Sequence, residues 1–177
     1  NMSTVDESSI IAFDDAINDP SELLPKVNTI ANDLAALIYT SGSTGNPKGV
    51  MQTHLSMGFA LNSIIEYLRL RHEDRLLLVL PLAFDYGLYQ LLMSVQLGAT
   101  LVLERSFAFP AQIFSRMEET AVTVFPAVPT IYSMMLSIHK KKAISFPEVT
   151  RITNTAAALP PGYTEALREI FPAALIY

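Results

Sequence analysis

Apolar residues recur along the chain in two alternating periods, and the alternation predicts an α/β domain. Ala35 to Thr40 reads as a strand, followed by a Gly/Ser/Thr loop and by Gly49 to Thr53 as a second strand. A helix comes next, in which Met57, Leu61, Ile64, Ile65 and Leu68 share one face. Arg75 to Leu80 is a near-continuous apolar run, as expected of a strand covered on both sides. Tyr89 to Leu97 reads as a helix stopped by Gly98, and Thr100 to Glu104 as the following strand. Pro110 opens a helix to about Thr120, because its missing N–H is harmless in a first turn. Val122 to Pro126 is a strand, Thr130 to Ile138 a helix and Thr150 to Thr155 a strand. Pro161 and Gly162 introduce a last helix through Ile170, and Ala174 to Tyr177 begins another strand. The expected fold is therefore a layered α/β unit. Arg75–Leu80, Thr100–Glu104, Val122–Pro126 and Thr150–Thr155 form a mostly parallel sheet flanked by helices, and a hairpin carries the Gly/Ser/Thr loop.

Residues 1–32 fit this pattern poorly. They are mixed and acidic, broken by Pro20 and Pro25, and read as a lead-in with one short turn of helix. The last strand-like run breaks off at Tyr177, so 33–177 is expected to be part of a larger domain.

Composition narrows the function. Half of the residues are hydrophobic and 16% charged, which marks a folded chain. A net charge of −5 argues against a nucleic-acid partner, and Lys140-Lys141-Lys142 reads as a solvated turn. With no cysteine there is no disulfide framework and no thiolate chemistry, and His54, His72 and His139 lack ligand spacing, so no protein metal site is expected. His54 reads as a polar strand-end residue, and the Met134-Met135 and Phe107/Phe109 pairs as packing. No apolar run approaches the roughly 18 residues of a membrane span, and no basic-then-apolar leader opens the chain. A cytoplasmic location is expected.

The chemistry concentrates in Tyr39-Thr40-Ser41-Gly42-Ser43-Thr44-Gly45-Asn46-Pro47-Lys48-Gly49. Gly42, Gly45 and Gly49 permit close backbone approach, so successive N–H groups can converge on an anion. Thr40, Ser41, Ser43 and Thr44 add hydroxyl donors. Lys48 adds a compact positive charge able to follow phosphate charge as it moves. The P-loop of NTPases is excluded, since Lys48 lies between Pro47 and Gly49 and the segment joins two strands.

This run resembles the signature loop of the adenylate-forming superfamily, which includes acyl-CoA synthetases, peptide-synthetase adenylation domains and luciferases. The resemblance extends from about Asp33 to Tyr177. It implies part of the large N-terminal domain, with Thr40, Ser41, Gly42, Ser43, Thr44, Gly45 and Lys48 on the β- and γ-phosphates of ATP, and Lys48 as the catalytic cation. The implied reaction joins a carboxylate to the α-phosphate of ATP, releasing pyrophosphate, after which a thiol displaces AMP. The acceptor would be coenzyme A, or a pantetheine carrier protein.

Two more segments carry the resemblance. Leu80-Pro81-Leu82-Ala83-Phe84-Asp85-Tyr86-Gly87 leaves a buried strand, where residues are well placed to line a ligand crevice, and it resembles the family's aromatic substrate motif. Phe84 would wall the carboxylate pocket, beside Asp85, Tyr86 and Gly87. Asp85 needs a partner near an apolar pocket. A substrate ammonium or a local backbone N–H would serve, and Tyr86-Gly87-Leu88 looks more like an acyl-CoA synthetase. Thr153-Asn154-Thr155-Ala156-Ala157-Ala158-Leu159-Pro160 resembles the family's Ser-Gly-Gly-Ala-Pro-Leu turn beside adenine and the acyl group. Here Ala156 and Ala157 replace two glycines, with Ala158 after them and Leu159-Pro160 in place of Pro-Leu; the two added methyls either narrow the acyl channel or are accommodated by a shift of the backbone.

The resemblance also places the magnesium-holding glutamate beyond Tyr177, together with the ribose-binding aspartate and a small C-terminal domain carrying a further lysine. This stretch alone is expected to be inactive. The leading expectation is an acyl-CoA synthetase acting on a small-molecule carboxylic acid, such as those of fatty acid metabolism. An amino-acid-adenylating domain is the alternative, and a non-catalytic nucleotide-binding module the alternative from another class.

Overall fold

A computed structural model of the chain describes residues 27–40 and 47–177. The expected lead-in lies almost wholly outside the described residues, and so does Ser41–Asn46. Residues 31–177 form one compact unit, to which everything below refers.

The unit opens with an antiparallel hairpin, β1 (Leu34–Thr40) and β2 (Lys48–Thr53), in which Thr40 pairs with Lys48 and Ile38 with Val50. Side chains alternate between the faces of a strand, so Ile38, Thr40, Val50 and Gln52 fall on one face. Leu37, Tyr39 and Met51 fall on the other, where all three are exposed. Helix α1 (His54–Leu68) follows without a gap. Thr53 caps it reciprocally: its hydroxyl accepts from Ser56 N at 3.1 Å and its own N–H donates to Ser56 Oγ at 3.0 Å. His54 is therefore the first residue of this helix rather than a strand end. Of the predicted apolar face, Leu61 and Leu68 are buried and Met57, Ile64 and Ile65 half-buried.

The core is a second, parallel sheet of β3 (Arg75–Leu78), β4 (Thr100–Leu103), β5 (Val124–Ala127), β6 (Arg151–Asn154) and β7 (Leu175–Ile176), in the order β4-β3-β5-β6-β7. Between the strands run α2 (Asp85–Leu97), α3 (Pro110–Glu119), α4 (Pro129–Lys141) and α5 (Tyr163–Ile170). The expected parallel sheet is present, with each strand shorter than its apolar run. The large difference is α2, which starts at Asp85 instead of Tyr89 and so draws Asp85, Tyr86 and Gly87 into a helical first turn. Gly98, in the left-handed region at φ 64°, ends it. Met135 and Phe107 are buried as expected, whereas their companions Met134 and Phe109 face outward.

Two clusters cover the sheet. Phe125, Tyr132, Ile152 and Phe171 anchor one; Leu61, Leu76, Met93 and Val124 anchor the other, against α1 and α2. A polar knot ties the N-terminal ends of the strands. Asp74 Oδ1 accepts from Arg151 Nη1 and from Thr123 Oγ1, both at 2.8 Å, and its Oδ2 accepts from Arg71 N at 2.7 Å. Arg151 Nη2 donates to Arg69 O at 2.9 Å. A buried charge pair needs such added hydrogen bonds to offset its desolvation.

Candidate functional site

The strand order places the site. From β3 the chain winds outward to β4, then jumps back across β3 to β5 and continues the other way. The loops leaving β3 and β5 therefore diverge, and a crevice opens at their carboxyl ends. Leu80, Pro81 and Phe84 enter it after β3, Val128 after β5, and Thr155 and Ala156 after β6. With Asp85, Tyr86 and Gly87 from the start of α2 they enclose an apolar cavity of about 420 Å³.

A second cavity, of about 370 Å³, adjoins it. Its walls are Ile38, Thr40, Val50 and Gln52 of the hairpin, Ala60 and Ile64 of α1, and Asp85, Tyr86, Tyr89 and Thr155. The inward face of the hairpin thus covers the first turn of α2. Asp85, Tyr86 and Thr155 belong to both cavities and form the seam between them.

The seam is held from below. Tyr86 Oη bonds to Thr153 Oγ1 and also donates to Thr153 O at 3.3 Å, while the buried Tyr132 donates to Thr153 O at 2.9 Å. Burial pushes the Tyr86 phenol up to about 12, against the opposing pull of its Thr153 bond. Burial, and then the neighbouring Tyr86, hold the Tyr132 phenol well above its ordinary value. Tyr89 is raised by burial and then by the Asp85 charge. All three phenols are accordingly protonated donors at neutral pH.

Gly87 is a steric requirement. A Cβ there would lie 2.3 Å from Pro81 O and 2.9 Å from Pro81 C, so the helix can approach the strand exit this closely only without a side chain. Asp85 is exposed; Oδ1 accepts from Tyr86 N at 2.7 Å, the local backbone partner named as one of its two options. Phe84 stands at the helix N-cap, 63% exposed, with its ring beside the apolar cavity.

Of the residues expected to bind phosphate, Thr40 lines the hairpin cavity and donates its Oγ1 hydroxyl to Lys48 O at 3.4 Å. Lys48 is exposed at the start of β2. Ser41, Gly42, Ser43, Thr44 and Gly45 lie outside the described residues. Ala156 lines the apolar cavity; Ala157 and Ala158 continue the same exposed turn. Tyr89 and Gln52 were not picked out from the sequence. Tyr89 stands four residues after Asp85 and so on the same helix face, a spacing that could have found it. Gln52 follows from strand alternation once Thr40 is placed. Among the described residues no three His, Cys, Asp or Glu side chains converge to hold a metal ion, and no helix is long and apolar enough to cross a membrane.

The parallel α/β sheet thus has its crevice at the switch point, beside a cavity lined by a hairpin whose strands flank the Gly/Ser/Thr-Pro-Lys-Gly run. The chain belongs to the AMP-binding enzyme family, whose model matches residues 2–177. It is 32% identical over 173 residues to a probable CoA ligase, CCL9, of Humulus lupulus, covering 96% of this chain and 31% of that protein. It superposes on VinN in complex with L-aspartate at a TM-score of 0.76 and 35% identity, covering 86% of this chain and 38% of that one. It likewise matches the O-succinylbenzoate coenzyme A synthetase MenE of Bacillus subtilis in complex with ATP and magnesium ion, at a TM-score of 0.71, 31% identity, and 80% and 29% coverage. The chain thus spans about a third of the length of the curated relatives it matches.

Proposed function

We propose that the chain is the phosphate-loop and acid-binding part of an AMP-forming ligase that activates a carboxylic acid with ATP and passes it to a thiol, coenzyme A or a pantetheine carrier. The single observation carrying this reading is the shared seam. An apolar cavity and a hairpin cavity rimmed by the first hydroxyl of the phosphate loop meet at Asp85, Tyr86 and Thr155. Two reactants bound one on each side would meet end to end there, which is what attack of a carboxylate on an α-phosphate requires.

The acid's hydrocarbon part occupies the apolar cavity and turns its carboxylate to the seam. The triphosphate lies along the hairpin, with Lys48 and the loop hydroxyls on the β- and γ-phosphates. As the carboxylate oxygen bonds to the α-phosphorus, the bond to the pyrophosphate oxygen breaks and negative charge moves onto the leaving group. Lys48 and the loop N–H groups neutralise that charge, and the protein need only align and stabilise. Among the described residues no three His, Cys, Asp or Glu side chains converge as magnesium ligands.

The test is ATP–pyrophosphate exchange in the full-length parent enzyme. Lys48→Ala should lower exchange by about a hundredfold or more while leaving unfolding unchanged, since transition-state contacts of this kind are worth about 3–4 kcal/mol. A folded Lys48→Ala enzyme with undiminished exchange would exclude this role.

A second reading has a specific observation behind it. VinN is described bound to L-aspartate, and Asp85 presents an exposed carboxylate at the seam with only Oδ1 engaged by the backbone. An amino-acid substrate would set its ammonium against Asp85. Exchange measured with acid and amino-acid panels separates the two. Asp85→Asn retains most activity if its partner is the backbone, because an amide oxygen still accepts that bond. It abolishes activity with a single amino acid if the partner is an ammonium.

A further inference from the structure

We propose that Asn154 is a positioning residue of this site: its side-chain amide clamps the turn Thr155–Ala158 in a left-handed bend and thereby sets the wall against which the acid's reacting end rests. The clamp is a matter of geometry, while its effect on the acid rests on the function proposed above.

The bend needs holding. Ala156 sits at φ 69°, a conformation in which the Cβ of an L-residue crowds the carbonyl oxygen that follows. Glycine adopts it freely, and the family turn that this segment resembles has glycine here. In this chain the methyl group stays and the strain with it. Directly across the bend, Asn154 Nδ2 donates to Ala157 O at 2.7 Å. The base of the clamp is itself anchored: Asn154 N donates to Tyr177 O at 3.0 Å, and Thr153 O takes the Tyr132 hydroxyl. The strained residue is thus spanned by one side-chain bond rooted in the sheet.

The other half of the amide shows what Asn154 is there for. Its Oδ1 is buried and has no hydrogen-bond partner among the described residues. An acceptor stripped of water and left unpaired works against folding, so an apolar side chain of similar size would serve stability better. The donor is the half in use, and it acts on a turn whose Thr155 and Ala156 line the apolar cavity with Phe84, Asp85 and Tyr86. Thr155 also faces the hairpin cavity. A displaced turn would therefore shift the acid relative to the phosphate without touching the phosphate loop.

The experiment uses the full-length enzyme and ATP–pyrophosphate exchange over straight-chain acids of graded length and an amino-acid panel. It compares Asn154→Leu, Ala156→Gly and the double variant. Asn154→Leu removes the clamp and the unpaired acceptor together. Its urea midpoint should hold or rise, while kcat/KM for the preferred acid falls on the order of tenfold, as for a misplaced reacting group. Ala156→Gly lets the bend form unaided, so the double variant should recover most of that loss, a coupling the cycle measures directly. Equal losses with and without Ala156→Gly, an activity loss that tracks the urea midpoint, or no loss at all would overturn the proposal. Asn154→Ala adds no bulk and gives the same comparison if the leucine variant does not fold. A parent with no exchange for any acid would remove the function reading instead. The clamp is then read from the Cα and Cβ chemical shifts of Ala156, which report its left-handed φ and which Asn154→Leu must move; unchanged shifts would refute it.

Discussion

Replacing Gly87 by alanine asks whether the seam depends on the closeness of α2 to the exit of β3. The added methyl would stand 2.3 Å from Pro81 O, 2.9 Å from Pro81 C and 3.1 Å from Leu80 O, all backbone atoms that cannot rotate away. An ordinary contact begins near 3.4 Å, so helix and strand exit must part by about 1 Å before the contact becomes tolerable. Overpacking of this kind costs about 1–3 kcal/mol, and the absence of any flexible neighbour puts Gly87→Ala at the upper end. The helix that moves carries Asp85 and Tyr86 at its first turn. A displacement of about 1 Å at the reacting groups costs up to about a hundredfold in rate. Urea denaturation of the parent enzyme measures the first effect and pyrophosphate exchange the second. Exchange should fall by more than the lost stability explains at temperatures where the variant is fully folded. A Gly87→Ala enzyme with wild-type midpoint and wild-type exchange would refute the reasoning, since it would mean that the helix is not held where the structure has it.

Two further outcomes test the supports of the site. Asp74→Ala leaves the mostly buried Arg151 guanidinium without its carboxylate, and the parent should lose about 3–5 kcal/mol of stability; a change below about 1 kcal/mol would show that the knot is not holding the strand ends. Tyr86, raised from 10.0 to about 12 by burial, is favoured by the fold in its protonated form. Its contribution, about 2–3 kcal/mol, is therefore whole below about pH 10 and is lost as pH climbs toward about 12. Tyr86→Phe should flatten that part of the alkaline unfolding profile, and an unaltered profile would count against the buried phenol.

Much of this fold was readable in the residues, for local reasons. Leu76–Leu78 and Val124–Ala127 are short apolar runs between turn residues, and such runs announce buried strands. The hairpin was readable because Pro-Lys-Gly between two strand-like runs has few other uses. The start of α2 was not. Phe84 caps the helix with no side-chain hydrogen bond, so the Ser/Thr/Asp/Asn signal that marks most helix starts is missing. What makes Gly87 correct in the first turn is a contact with Pro81 that no periodicity encodes. Thr123 and Arg151 lie 49 and 77 residues from Asp74, and only the parallel sheet brings the three together. The Asn154 clamp spans just three residues, yet it acquires meaning only from the φ of Ala156.

The hairpin shares no hydrogen-bonded ladder with the five-stranded sheet. If the hairpin handles phosphate as proposed, that role and folding are exposed to selection at different residues. Substitutions at Thr40 or Lys48 touch neither hydrophobic cluster, so the loop can be retuned without drawing on the stability of the core. The seam residues have no such freedom: Tyr86 is tied through Thr153 to Tyr132, and Tyr132 to Phe125 in the centre of the core. A lineage changing its acid must repack around that chain of contacts. Under the proposed function, one changing the speed of its phosphate chemistry need alter only the roof.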